Sequence, residues 1–187
     1  MRKTIFLIIA ITVVATAINW TDSCTELKTD TELFKENLTY ADMYTYKDPD
    51  YGFVVRYPSF FVHQPDSLND YKGYARFSYN DQWSTVVLEG YVMYNRGQSI
   101  KAAADSLAQV LHATDTKLGK DYFILSGPQY ENGSPLRGYS YYSKFVSNYK
   151  SWFVYTMVYP DRYHDVLPRL FKEIDEWQIW GVHAQSF

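Results

Sequence analysis

The chain has 187 residues, with 18 Lys and Arg against 21 Asp and Glu, a formal net charge of −3. That length suits one domain with a real hydrophobic core. The acidic balance argues against a nucleic-acid binder and against attraction to anionic lipid, since both need clustered basic side chains.

Residues 1–17 read as an export signal. Arg2 and Lys3 give a positive start, Ile5 to Val14 is an apolar run, and Ala15-Thr16-Ala17 has the small-x-small spelling of a signal-peptidase site. The run is too short for a permanent span, and no later stretch nears the ~20 apolar residues of a transmembrane helix. The expectation is an exported protein, periplasmic or associated with the cell envelope. Cys24 is the only cysteine, so no internal disulfide can form. It is a lipid-anchored N-terminal residue, an intermolecular partner or a free thiol. Thr21-Asp22-Ser23 departs from a lipobox, which carries an aliphatic residue followed by small ones. A lipid on Cys24 would be the chain's one route to the membrane. Residues 18–40 read as a polar linker, although Asp30-Thr31-Glu32 would also cap a short helix with Phe34 and Leu38 on one side. The domain is then placed at 41–187.

Met43 to Tyr46 reads as a strand, Asp48-Pro49-Asp50 as a turn, and Gly52 to Tyr57 as a second strand ended by Pro58. Residues 62–70 read as a loop. Gly73 to Tyr79 and Ser84 to Tyr94 are strands joined by a turn at Asn80-Asp81. The longer one is apolar on both faces, so both should be covered. Residues 99–113 give the clearest helix, with Ser99 as N-cap and a stripe of Ile100, Ala103, Ala104, Leu107, Val110 and Leu111. Tyr122 to Leu125 is a short strand. Gly127-Pro128 and Asn132-Gly133-Ser134-Pro135 mark turns. Arg137 to Val146 and Trp152 to Tyr159 read as a hairpin around 147–150. A last helix starts at Tyr163 or Asp165 and runs to Glu176, with Pro168 in its first turn if Asp165 is the cap, and Trp177 to Trp180 alternates like a terminal strand.

The order of these elements resembles the PsbP-like family. The likeness rests on Tyr51-Gly52-Phe53-Val54-Val55-Arg56-Tyr57-Pro58, the helix at 99–113, Leu125-Ser126-Gly127, Arg137-Gly138-Tyr139 and the closing helix, and it covers residues 42–180. It implies an α+β fold, an antiparallel sheet of six or seven strands flanked by helices as an α/β/α sandwich. The family includes extrinsic subunits of photosystem II, and the fold also serves a nuclear regulator that binds the Ran GTPase. The resemblance therefore implies binding to a protein rather than catalysis, and no family binding motif maps onto this chain.

Chemistry-bearing motifs are absent. His63, His112, His164 and His183 lack ligand spacing, and the serine-hydrolase elbow, the P-loop and the dinucleotide fingerprint are missing. No metal site and no cofactor is expected: Asp161-x-x-His164-Asp165 reads as helix capping, and Asp66, Asn69 and Asp70 as solvated loop polarity. Glu89, on an apolar strand, is either a buried functional carboxylate or the partner of Arg76, Arg56 or a Tyr hydroxyl. Composition directs attention to tyrosine, with 19 in the chain beside 11 Phe and 5 Trp. Tyr139, Tyr141, Tyr142, Tyr155 and Tyr159 on the aromatic hairpin are the candidate binding residues, because two helices fall short of covering both sides of such a sheet and an open face would present rings and hydroxyls together. The expected function is a non-enzymatic accessory domain that binds an envelope protein. The alternative is a small-ligand or glycan-binding module using the same tyrosines.

Overall fold

The computed structural model describes residues 28–69, 71–148 and 150–179. The export signal, Cys24, Asp70, Trp180 and His183 lie outside the described residues.

The segment expected to be a linker instead ends in a helix, α1 (Asp30–Tyr40). Thr29 caps it: its side chain accepts from the Glu32 N–H, and the Glu32 carboxylate accepts from the Thr29 N–H at 2.8 Å. Only Phe34 and Leu38 are buried, one turn apart, so the helix docks through two side chains, with Leu33 and Tyr40 exposed among its polar residues. Its carbonyl end is held from a distance. Arg169 donates to Leu38 O and, at 2.9 Å, to Ala41 O.

Strands β1 (Met43–Lys47) and β2 (Val54–Pro58) form a separate antiparallel hairpin. The main sheet has seven antiparallel strands: β3 (Val62–His63), β4 (Tyr74–Asn80), β5 (Thr85–Tyr94), β6 (Asp115–Leu118), β7 (Tyr122–Glu131), β8 (Ser134–Asn148) and β9 (Ser151–Pro160). Their order is β3-β4-β5-β9-β8-β7-β6. Helix α2 (Ile100–Val110), capped by Ser99, links β5 to β6. A 3-10 helix (Asp161–Val166) and α3 (Pro168–Glu176) follow β9. Among the described residues no helix is long and apolar enough to cross a membrane.

Alternation along the strands divides the sheet into two unequal faces. The larger core packs Phe77, Leu88, Tyr142, Phe153, Tyr155 and Met157 against α1, the β1–β2 hairpin, the 3-10 helix and α3. The opposite face has α2 alone, which covers Phe123, Leu125, Phe145, Trp152 and Val154. The expected α+β sandwich is present, with its strands as predicted at β2, β4, β5 and the β8–β9 hairpin.

Six local expectations are corrected. Residues 62 and 63, read as loop, pair with β4 as β3, and Val110, read into the apolar stripe of α2, is exposed. Gly127-Pro128 does not turn the chain: β7 runs through it to Glu131, and the missing Pro128 donor is absorbed by a register shift between Pro128 and Tyr130. β6 is a further strand, four exposed residues too short and polar to carry a period. Leu167 rather than Asp165 precedes α3, with Pro168 as its first residue. Residues 177–179 are not a strand. Trp177 folds back instead, its indole N–H donating to Val54 O at 2.6 Å.

Candidate functional site

The register fixes which side chains form each row on the face that α2 shares. Tyr74, Tyr91, Val154, Phe145 and Phe123 make an aromatic row. One step along, Arg76, Glu89, Thr156 and Ser143 make a polar row. The next row holds Val87, Val158, Tyr141 and Gly127. α2 covers the Val154, Phe145 and Phe123 end of the first row. Its exit loop crosses Gly127 so closely that a Cβ there would lie 3.0 Å from His112 O and Thr114 N, a space only glycine leaves. The β4–β5–β9 end of the second and third rows is left without a helix.

That end carries a cleft of about 400 Å³. Val87 and Val158 give it an apolar floor, and Arg76 and Glu89 a polar one. Its other wall comes from Gln129, Glu131 and Leu136, which belong to the far end of the β7–β8 hairpin although the sheet order puts β5 two strands and β4 three strands from β8. This arm therefore curls back over the sheet, bent at the Pro128–Tyr130 register shift and at Gly138, whose φ is +74°. Tyr139 pins its base, the hydroxyl accepting from the Thr85 N–H at 3.3 Å.

Glu89 resolves to the paired alternative. Arg76 and Tyr74 both donate to its Oε1, the tyrosine at 2.6 Å. Burial, and then the hydrogen bond to that carboxylate, hold the tyrosine proton, so Tyr74 titrates well above the usual phenol range. The pair is a fixed polar element of the wall, with each charge already answered.

Beside the cleft, the β4–β5 turn presents Trp83, 77% exposed. The turn is built on Asp81, whose side chain is only 3% exposed. Its carboxylate accepts from the backbone N–H groups of Trp83 and Ser84, each at 2.6 Å, from the Ser84 hydroxyl, from Arg162 at 2.6 Å and from the Tyr163 hydroxyl. Burial alone would raise its pKa, but these donors outweigh it and hold the carboxyl well below the ordinary carboxylate range. A large aromatic ring is thus shown to solvent on a preorganised turn.

The open tyrosine face predicted from sequence does not form. Tyr141, Tyr142, Tyr155 and Tyr159 are buried. Tyr155 donates to Arg56 O at 2.6 Å and Tyr142 to Asp175 Oδ1 at 2.5 Å, while Tyr159 and His164 share a hydrogen bond at 3.2 Å. The Tyr141 hydroxyl, pushed up to about 12 by burial, has no hydrogen-bond partner among the described residues. Only Tyr139 remains at the edge of the open area. Tyr142 and Tyr159 lie against Phe171 of α3, Tyr155 lies against Trp177, and Tyr141 belongs to the cluster under α2. Among the described residues no group of three His, Cys, Asp or Glu could hold a metal ion. Asp161 accepts from the Ser140 hydroxyl and the His164 ring lies against Phe171.

No protein-family model and no curated protein sequence matches the chain. Among solved structures it is similar to the solution structure of cyanobacterial PsbP (CyanoP) from Synechocystis sp. PCC 6803. The TM-score is 0.51 at 10% identity, over 84% of this chain and 98% of that one. The chain adopts a PsbP-like fold, as its order of elements implied. At that identity the likeness is one of fold.

Proposed function

We propose that this chain is an exported, non-enzymatic accessory domain that binds a protein partner at the bacterial envelope. It docks with the β4–β5 turn and the adjoining uncovered end of the sheet. The observation that carries the reading is Trp83, exposed on a turn that Asp81 holds fixed. Tryptophan is enriched among residues that dominate interfaces, and a rigid one loses little entropy on binding. Leu136 and Tyr139 extend the same area into the cleft. The PsbP-like fold supports the accessory role, and Glu89, committed to Arg76 and Tyr74, is poorly placed to act as a free acid or base. Export rests on residues 1–17, and an acyl chain on Cys24 would supply any membrane attachment.

The test is capture from cross-linked envelope extract with wild type and Trp83→Ala side by side. One reproducible partner that the variant loses supports the reading; capture that the substitution leaves unchanged contradicts it. A second reading, a small neutral ligand or glycan, moves from the tyrosines to the cleft, because about 400 Å³ falls within the ~300–1,000 Å³ typical of ligand pockets. Saturation-transfer NMR with neutral oligosaccharides separates the two.

A further inference from the structure

The main sheet ends on an edge that is open and complementary to itself. Among the described residues β6 pairs with β7 alone. All four of its residues are exposed, so no helix or loop overhangs it. Its neighbours fix which backbone groups point outward. Gly119 N–H donates to Tyr122 O and Ser147 N–H to Asp121 O, each at 2.8 Å. Backbone groups alternate between neighbouring strands, so Ile124 bonds to Lys117, and Thr116 and Leu118 turn their N–H and C=O groups away from the sheet. Such an edge is a template for another strand. Asp115 and Lys117 flank Thr116 on the face that carries Tyr142, with Lys117 Nζ 5.8 Å from the centre of that ring. Among the described residues neither side chain forms an ion pair.

We propose that β6 pairs antiparallel with β6 of a second copy of this chain, about a two-fold axis at Thr116. Thr116 of each copy exchanges both backbone hydrogen bonds with the other. On either side of the axis, Asp115 of one copy stands opposite Lys117 of the other. Directly opposed side chains lie about 4.5–5.5 Å apart at Cβ, close enough for both ion pairs to form. The charges also select this register. A two-fold axis at Leu118 sets Asp115 against Asp121, and one at Thr114 sets Asp115 against Ala113 and Lys117 against Leu111. The contact is isologous and closes at two copies. β5 lies four strands from β6, so both Trp83 turns stand well away from the axis and stay open to a partner.

The experiment is sedimentation equilibrium of the exported chain under reducing conditions, which keep Cys24 from linking copies. So short a contact predicts a dimer that forms between about 10 μM and about 1 mM. Asp115→Lys sets Lys against Lys, and Lys117→Asp sets Asp against Asp, so each variant alone should dimerise about tenfold more weakly. Mixed in equal amounts, the two variants restore both opposite-charge pairs and should dimerise like wild type, a recovery that damage to the fold would not produce. A wild-type chain still monomeric at about 1 mM, variants that dimerise like wild type, or a mixture no better than its components would overturn the proposal. Amide protection at Thr116 and Leu118 that does not change with concentration would overturn it too, by assigning the edge to a segment of the same chain. The docking reading is tested separately, because Trp83→Ala leaves this edge untouched.

Discussion

Asp81→Ala is expected to cost about 3 kcal/mol of folding stability. The side chain is almost completely enclosed and accepts five hydrogen bonds. Hydrogen bonds to a charged group are each worth roughly 1.5–3 kcal/mol, but they do not add when they share one acceptor. Water can replace the carboxylate at Arg162, which is 44% exposed and keeps Ser84 Oγ at 2.9 Å. It cannot readily do so at Tyr163, a fully buried residue whose hydroxyl loses its acceptor. One orphaned hydroxyl at roughly 1–3 kcal/mol, plus the loss of two backbone turn bonds at about 0.5–1.5 kcal/mol each, gives the figure. At about 2–4 °C per kcal/mol for a chain of this size, the melting temperature should fall by about 6–12 °C. The sign with pH follows from the depressed native pKa. The contribution is fully present above the unfolded value near pH ~4 and is lost as pH falls through the native value. Urea unfolding from pH 7 downward should therefore show the gap between wild type and variant closing in acid, with little change in the slope against denaturant. A gap under about 0.5 kcal/mol at pH 7, or one that widens in acid, would refute the reasoning.

Other substitutions probe separate links. Tyr155→Phe removes the donor from Arg56 O in the core and should cost about 1–2 kcal/mol by the same unfolding assay. Lys144 donates to Asp175 O at 2.5 Å and Trp177 O at 2.7 Å, so Lys144→Met should lower stability by about 1–2 kcal/mol and accelerate amide exchange at Ile174 and Trp177 before the strands are affected. Gly127→Ala drives a methyl into the backbone of the α2–β6 loop and should cost about 1–3 kcal/mol, visible as shifted NMR signals for His112 to Thr114. Trp83→Ala, by contrast, should stay within about 0.5 kcal/mol of wild type, since its ring lies largely in water.

The parts of the fold legible in the sequence are those whose period is carried by many residues. β5, α2 and the β8–β9 hairpin each repeat an apolar pattern over ten or more positions, and the faces it defines are those that occur, apart from Val110 of α2, which is exposed. α1 depends on two apolar residues and a capping box, so its polar composition reads as a linker. Strand alternation says which tyrosines share a face but not what covers it, and here the cover is Phe171 and Trp177 at the closing helix on one side and α2 on the other. Gly127-Pro128 is spelled as a turn and only strand pairing keeps it extended, whereas Asn132-Gly133 turns as its spelling says. The cleft under the arm joins β4, β5, β9 and the hairpin tip, a juxtaposition with no local signature. Trp83 was the available clue: an aromatic residue beside an Asn-Asp turn, outside any alternating run, has no core position to fill.

The most direct measurement places an aromatic photo-cross-linking amino acid, which keeps a large ring where the indole stood, at position 83 and, in a second protein, at position 40, where Tyr40 is 82% exposed on α1. Both proteins are irradiated in intact envelopes. Docking through the β4–β5 turn predicts one discrete adduct from position 83 and none from position 40. The same adducts from both positions, or an adduct only from position 40, would contradict it.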